Sequence, residues 1–202
     1  KEAALGLVKG STAYGDLAGC DLVIEAATEN LDLKLRILRD VDKLAKPGTL
    51  IASNTSSISI TALAAVTARP AEFLGVHFFN PVPLMALVEL VRGLQTSDAT
   101  VEAAAVFAQR LGKTPIVVGD CAGFLVNRIL FPYFAGFAGL VAEGVDYERI
   151  DRVLEAWGWP MGPALLLDVV GIDTAVHAQG VLAAAFPERM RHAGQTAMER
   201  MF

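Results

Sequence analysis

The chain has 202 residues, 53% of them hydrophobic, and 17 Lys and Arg against 22 Asp and Glu give a net charge of −5. That length can bury a substantial core in one large or two small domains, while the acidic balance and dispersed basic residues argue against nucleic acid as the main partner. Mean hydropathy is high at +0.46, but the longest apolar stretch, Ile129 to Ala142, contains Pro132 and falls short of the about 20 residues a bilayer requires, so no membrane span is expected.

Cys20 and Cys121 are isolated in sequence, which offers no metal-ligand spacing and is best matched by a reducing, cytoplasmic setting without a structural disulfide. No cleavable signal pattern opens the chain, and its first residue is Lys1 rather than Met, so the native start is expected further upstream.

The first clear element is Asp21 to Ala27, a short apolar run of the kind found in buried parallel strands. Leu31, Leu35, Leu38, Val41 and Leu44 then mark one face of a helix that Pro47-Gly48 stops. Thr49 to Ser53 is a second strand, which makes the unit β-α-β. Ile58 to Val66 predicts a short helix, Phe73 to Phe79 and Leu87 to Val91 strands, Ala99 to Leu111 a helix and Pro115 to Val118 a last strand. This alternation predicts an α/β fold, a truncated Rossmann-like parallel sheet with helices on both faces.

From Gly123 onward the strand pattern disappears. Phe124 to Glu143 predicts a long helix bent at Pro132, Asp146 to Trp157 an amphipathic helix, Gly158 to Pro163 a turn, and Leu165 to Val170 and Asp173 to Ala185 further helices. A boundary near Asp120 therefore separates an α/β part, residues 1–120, from an all-helical part, residues 121–202.

Ligands of an open parallel sheet lie beyond the carboxyl ends of its strands. Glu25 to Asn30, Ser53 to Ser57 and His77 to Pro81 each follow a predicted strand, so three polar clusters should share one rim. Ser57 and Ser59 are better explained as helix caps and turn residues. His77 ends its strand beside Phe78 and Phe79, and pattern alone leaves both a packed core histidine and a general base open. Glu89 interrupts the apolar run Leu87 to Val91; an unpaired carboxylate there would be costly to bury, and His77 is its natural partner. Asn127 and Arg128 interrupt the apolar helix after Gly123, where pattern does not decide their role. His177 and His192 lie in helical stretches without an acid/base partner.

Taken in order and spacing, Asp21 to Asn30, Ala52 to Ser57, His77-Phe78-Phe79-Asn80-Pro81-Val82, Gly123 to Arg128 and Pro160-Met161-Gly162-Pro163 resemble the (S)-3-hydroxyacyl-CoA dehydrogenase family. Leu130 to Phe137, Gly158 to Pro163 and Leu167 to Thr174 most resemble its members in the α-subunits of bacterial fatty-acid oxidation complexes. The resemblance implies NAD as cofactor and an (S)-3-hydroxyacyl-CoA as substrate, oxidised to the 3-oxoacyl-CoA. By it His77 is the base, Glu89 orients the imidazole and stabilises its charged form, and Ser56 and Asn127 hold the 3-oxygen. Glu29, Ser56 and Asn80 match cofactor contacts near the nicotinamide ribose, and Lys34 matches a position near NAD and the CoA phosphates, against the alternative of an exposed helix lysine. The resemblance leaves open whether the parent protein carries a hydratase domain, pairs with a thiolase subunit, or forms a homodimer through the helical domain.

One family feature is missing. The dinucleotide fingerprint needs a strand, then G-x-G-x-x-G at a helix N-terminus, and Gly6, Gly10, Gly15 and Gly19 lack both the spacing and the preceding strand. The chain is therefore expected to be a fragment whose isolated form binds NAD weakly, because the pyrophosphate depends on that helix N-terminus. Isothermal titration with NADH and an acetoacetyl-CoA reduction assay on the 202-residue chain should show weak binding and little turnover; tight binding with brisk turnover would refute this. Two other classes stay open: a non-catalytic acyl-CoA-binding or interaction module, and a dehydrogenase of small hydroxy acids.

Overall fold

The computed structural model describes residues 2–190 and 196–201. Residues group into two compact units, Lys1–Asp120 and Cys121–Phe202. In the first, helix α1 (Glu2–Leu5) and a 3-10 turn (Tyr14–Gly19) precede strand β1 (Leu22–Glu25), so among the described residues no strand comes before β1. Helix α2 (Leu31–Leu44) begins where the Asn30 side chain accepts the Leu33 N–H at 2.9 Å, a standard N-cap. Strand β2 (Leu50–Ser53), helix α3 (Ile60–Ala64), strands β3 (Phe73–Phe78) and β4 (Leu87–Arg92), helix α4 (Asp98–Arg110) and strand β5 (Thr114–Gly119) follow.

The five strands lie in sequence order. β1, β2 and β3 are parallel, β4 runs antiparallel to β3, and β5 is parallel to β4. The sheet is thus mixed rather than wholly parallel. The reason is length: the segment 79–86 between β3 and β4 is too short for a crossover, which takes a dozen or more residues, so the chain can only reverse.

The reversal has a chemical consequence. Antiparallel pairing sets His77 directly opposite Glu89 and Gly75 opposite Val91. Since side chains alternate across a sheet, Glu25, Ser53, Gly75, His77 and Glu89 share one face. Helix α3 covers that face so closely that a Cβ on Gly75 would stand 2.8 Å from Val91 Cβ and 2.9 Å from Ile60 Cδ1. Ala52, Leu74, Val76, Val88 and Leu90 turn to the other face, where Ala104 of α4 completes their cluster.

The face that α2 buries differs from the expected one. Leu31 and Leu44 are exposed, and the buried stripe is Lys34, Leu38 and Val41. A lysine occupies an apolar position because its charge is neutralised inside, as described below.

The second unit is helical throughout its described residues: α5 (Val126–Ala142), α6 (Tyr147–Trp157), α7 (Pro163–Val170), α8 (Ile172–Ala185), α9 (Pro187–Met190) and α10 (Ala197–Met201). α5 starts later than the apolar pattern predicts because Gly123 and Phe124 both have positive φ, +70° and +46°, a conformation no right-handed helix accepts. A Cβ on Gly123 would also lie 2.7 Å from Leu182 Cδ2. Phe131, Phe134, Leu167, Ala175, Leu182, Met190 and Met198 form the core. Asp151 accepts the N–H groups of Ala164 and Leu165 at 2.9 and 3.0 Å, which satisfies orphan donors at the start of α7. No single helix among the described residues is long and apolar enough to cross a membrane.

Candidate active site

The carboxyl ends of β1, β2 and β3 converge on one rim, and three polar segments meet there. His77 is buried, and its Nδ1 lies 2.8 Å from Oε2 of Glu89, which is fully buried. A carboxylate can only accept, so Nδ1 carries the proton and Nε2 is the basic nitrogen. The Phe79 ring packs edge-on against the imidazole with centroids 4.6 Å apart. Burial cost predicted this pairing for Glu89, and the strand register is what delivers it.

On the neighbouring loop Glu29 organises Ser56. Its carboxylate accepts the Thr55 hydroxyl at 2.7 Å, the Ser56 N–H at 2.9 Å and the Ser56 hydroxyl at 3.3 Å. Asn54 Oδ1 accepts the Phe78 N–H at 2.9 Å, which ties this loop to the residue after His77. A recess of about 200 Å³ lies beside them, lined by Ala26, Ala27, Thr28, Glu29, Lys34 and Asn54.

Beneath the rim is a buried ion pair. The Lys34 ammonium, 1% exposed, is bonded to Oε2 of Glu25. The Ser53 hydroxyl donates to the same oxygen at 2.9 Å, and Oε1 accepts the Ala27 N–H at 2.8 Å. Lys34 is therefore not an exposed helix lysine. Its charge is spent on Glu25, whose bonds brace both the Ala27–Glu29 and the Ser53–Ser56 segments. Glu25 and Asn54 fall within the polar clusters, but the motifs give neither a role of its own, and their bonds shape the rim. For Glu25 the signal was available: a carboxylate in an apolar strand has to find a partner, as Glu89 does.

The remaining expected positions are placed as follows. Asn80 is exposed and precedes a cis peptide bond to Pro81. Asn127 is half-buried in the first turn of α5, in the second unit, whereas Glu29, Lys34, Ser56, His77, Asn80 and Glu89 belong to the first. Ser59 caps α3 through the Ala62 N–H at 3.2 Å and donates to Asp120 at 2.8 Å. Asp120 also accepts the N–H groups of Ile60 and Thr61. His177 is exposed, and His192 lies outside the described residues. Cys20 and Cys121 are free thiols, and no group of His, Cys, Asp and Glu among the described residues could hold a metal ion.

A larger cleft, about 580 Å³, is elsewhere. It lies in the second unit between Phe137, Tyr147, Asp151, Leu165 and Asp168, and none of the acid/base residues line it. Burial pushes the phenol of nearby Tyr133 above its ordinary range, and the Asp151 carboxylate adds to the effect. Chemistry, not cavity size, singles out the candidate site.

Residues 1–121 match the family described as 3-hydroxyacyl-CoA dehydrogenase, NAD binding domain, and residues 123–202 match 3-hydroxyacyl-CoA dehydrogenase, C-terminal domain. The fatty acid oxidation complex subunit alpha of Pseudomonas putida is 51% identical over 199 residues, 98% of this chain. The chain spans 28% of the length of that curated relative. Among solved structures, (S)-3-hydroxybutyryl-CoA dehydrogenase from Ralstonia eutropha superposes with a TM-score of 0.88 at 50% identity, covering 93% of this chain and 67% of that one. FadB2 of M. tuberculosis gives 0.93 at 38% identity, covering 99% and 71%. With both parts of the chain matched in order, it belongs to the 3-hydroxyacyl-CoA dehydrogenase family.

Proposed function

We propose that the parent protein oxidises (S)-3-hydroxyacyl-CoA thioesters to 3-oxoacyl-CoA, and that residues 1–120 and 121–202 are its cofactor-binding and helical domains. The observation that carries this reading is the Nδ1–Oε2 contact of 2.8 Å between His77 and Glu89 at a strand end, beside a serine fixed by Glu29. The rim also suits one end of a dinucleotide. Ala26 and Ala27 leave room for close approach, and Glu29 and Asn54 offer polar partners to a ribose or carboxamide.

Glu29, Ser56 and Asn80 would hold NAD at its nicotinamide end, and the bound cofactor supplies the hydride acceptor. His77 Nε2 takes the proton of the substrate 3-hydroxyl as the C3 carbon loses its hydride and the carbonyl forms. Glu89 keeps the imidazole in the productive tautomer and sets a negative charge beside the ring as it becomes cationic. Ser56, once its hydroxyl turns from Glu29 to the substrate, and Asn127, by family resemblance, donate to the oxygen on which charge develops. Lys34 borders the recess, but with its ammonium on Glu25 we place it under the loop as a support rather than on a phosphate.

The parent belongs, on this reading, to fatty-acid oxidation in the cytoplasm, assembled with a thiolase subunit and dimeric through its helical domain. Relatives named as α subunits of a fatty acid oxidation complex support the assembly. The full-length protein, given NAD+ and each enantiomer of 3-hydroxybutyryl-CoA, should form NADH with the S form and far less with the R form. No NADH from either enantiomer would sink the assignment.

A further inference from the structure

Resting on the dehydrogenase reading above, we propose that the tip of the β3–β4 connection, Val82, Leu84 and Met85, receives the hydrocarbon tail of the acyl substrate and sets the preference for chain length.

Pro81, Val82, Pro83, Leu84, Met85 and Ala86 are all apolar and all exposed. Leu84 is 81% exposed, Met85 41% and Val82 39%. A contiguous apolar surface of this kind is unfavourable in water and marks a binding site when something apolar covers it. Its place in the fold indicates what that is. The connection joins the two strands whose register pairs His77 with Glu89, so its ends are anchored at the base and its orienting carboxylate. A substrate with its 3-hydroxyl at His77 brings its own chain into this neighbourhood.

The loop is also held in shape. Lys113 donates to the carbonyl oxygens of Val82 and Met85, the N–H groups of Leu84 and Met85 both reach the Pro81 carbonyl at 2.9 and 3.0 Å, and the Thr114 N–H bonds Ala86 at 2.7 Å. A preorganised surface loses less entropy on binding than a mobile one. Charge selects between the two ends of a CoA thioester. From Phe78 to Val88 there is no charged residue, and the nearby Lys113 ammonium is turned onto backbone carbonyls. The surface therefore suits methylene groups and not CoA phosphates.

The test compares kcat/KM of the full-length protein for (S)-3-hydroxybutyryl-CoA and (S)-3-hydroxyhexadecanoyl-CoA, in the wild type and in Leu84→Asn and Met85→Ser. Each replaces an exposed side chain, so the core is untouched. Because each methylene buried is worth roughly 0.8 kcal/mol, losing contact with one or two of them should lower the long-chain value about tenfold relative to the short-chain value. An equal fall for both substrates in both variants, or no change in either, overturns the proposal while leaving the dehydrogenase reading intact. A wild type inactive on both substrates overturns the two together.

Discussion

Changing His77 to glutamine in the full-length protein is expected to lower kcat for (S)-3-hydroxybutyryl-CoA oxidation by roughly 10²–10⁴-fold, the usual contribution of a positioned general base. Glutamine fills similar space and can still contact Glu89, but it offers no nitrogen able to accept a proton near neutrality. KM should change far less, since the imidazole acts on the reacting proton and not on the CoA moiety. Glu89→Gln should reduce kcat by a smaller factor. Its amide can donate to Nδ1, which favours the opposite tautomer and leaves Nε2 protonated. The sharper measurement is the double variant: two residues that act as one unit are non-additive, so His77→Gln with Glu89→Gln should be little worse than His77→Gln alone. Multiplicative losses, or a His77→Gln enzyme of near wild-type kcat, would remove His77 from the role of base.

The second large effect concerns stability. Lys34 and Glu25 have side chains 1% and 2% exposed and are bonded to each other. Removing one partner leaves the other charge buried without compensation, which typically costs 3–5 kcal/mol, whereas replacing both by neutral residues of similar volume is far milder. Lys34→Met in the 202-residue chain should therefore lower the unfolding midpoint by on the order of 10 °C. Glu25→Gln should also destabilise, and the double replacement should recover much of the loss. Urea unfolding followed by circular dichroism gives the coupling energy. If Lys34→Met costs less than about 1 kcal/mol, the pair does not brace the rim. Because Glu25 also accepts from Ser53 and Ala27, the same replacement should loosen the loop that carries Ser56, visible as faster amide exchange at Thr55 and Ser56.

Both predictions rest on pairings that local pattern approached from one side only. Glu89 was legible because a carboxylate between Val88 and Leu90 has to be paired. Glu25 sits in the equivalent context after Val23 and Ile24, yet its partner could not be read. Lys34 lies between Leu33 and Leu35, and its place on the buried stripe with Leu38 and Val41 could not be told from an exposed helix position. Helical periodicity treats every lysine as polar, and only a neutralising neighbour from another element converts one into a core residue. The later start of α5 was illegible for a related reason: apolar spacing runs through Phe124, but the backbone there is fixed by the turn at Gly123 packed on Leu182.

By itself the sequence determined the order and type of the elements, since strand and helix periods are local properties of the chain. It also placed Glu29, Ser56 and His77 on one rim, because parallel strands present their carboxyl ends together, and through its motifs it identified the family. What only the tertiary structure decided was which groups face each other. The short segment 79–86 forces β4 to run back along β3, and that reversal, not spacing, sets Glu89 against His77. Lys34 reaches Glu25 from a helix laid across the sheet, and Lys113 holds the apolar loop from the turn before β5. Charge neutralisation and register depend on distances between elements, which no local pattern encodes.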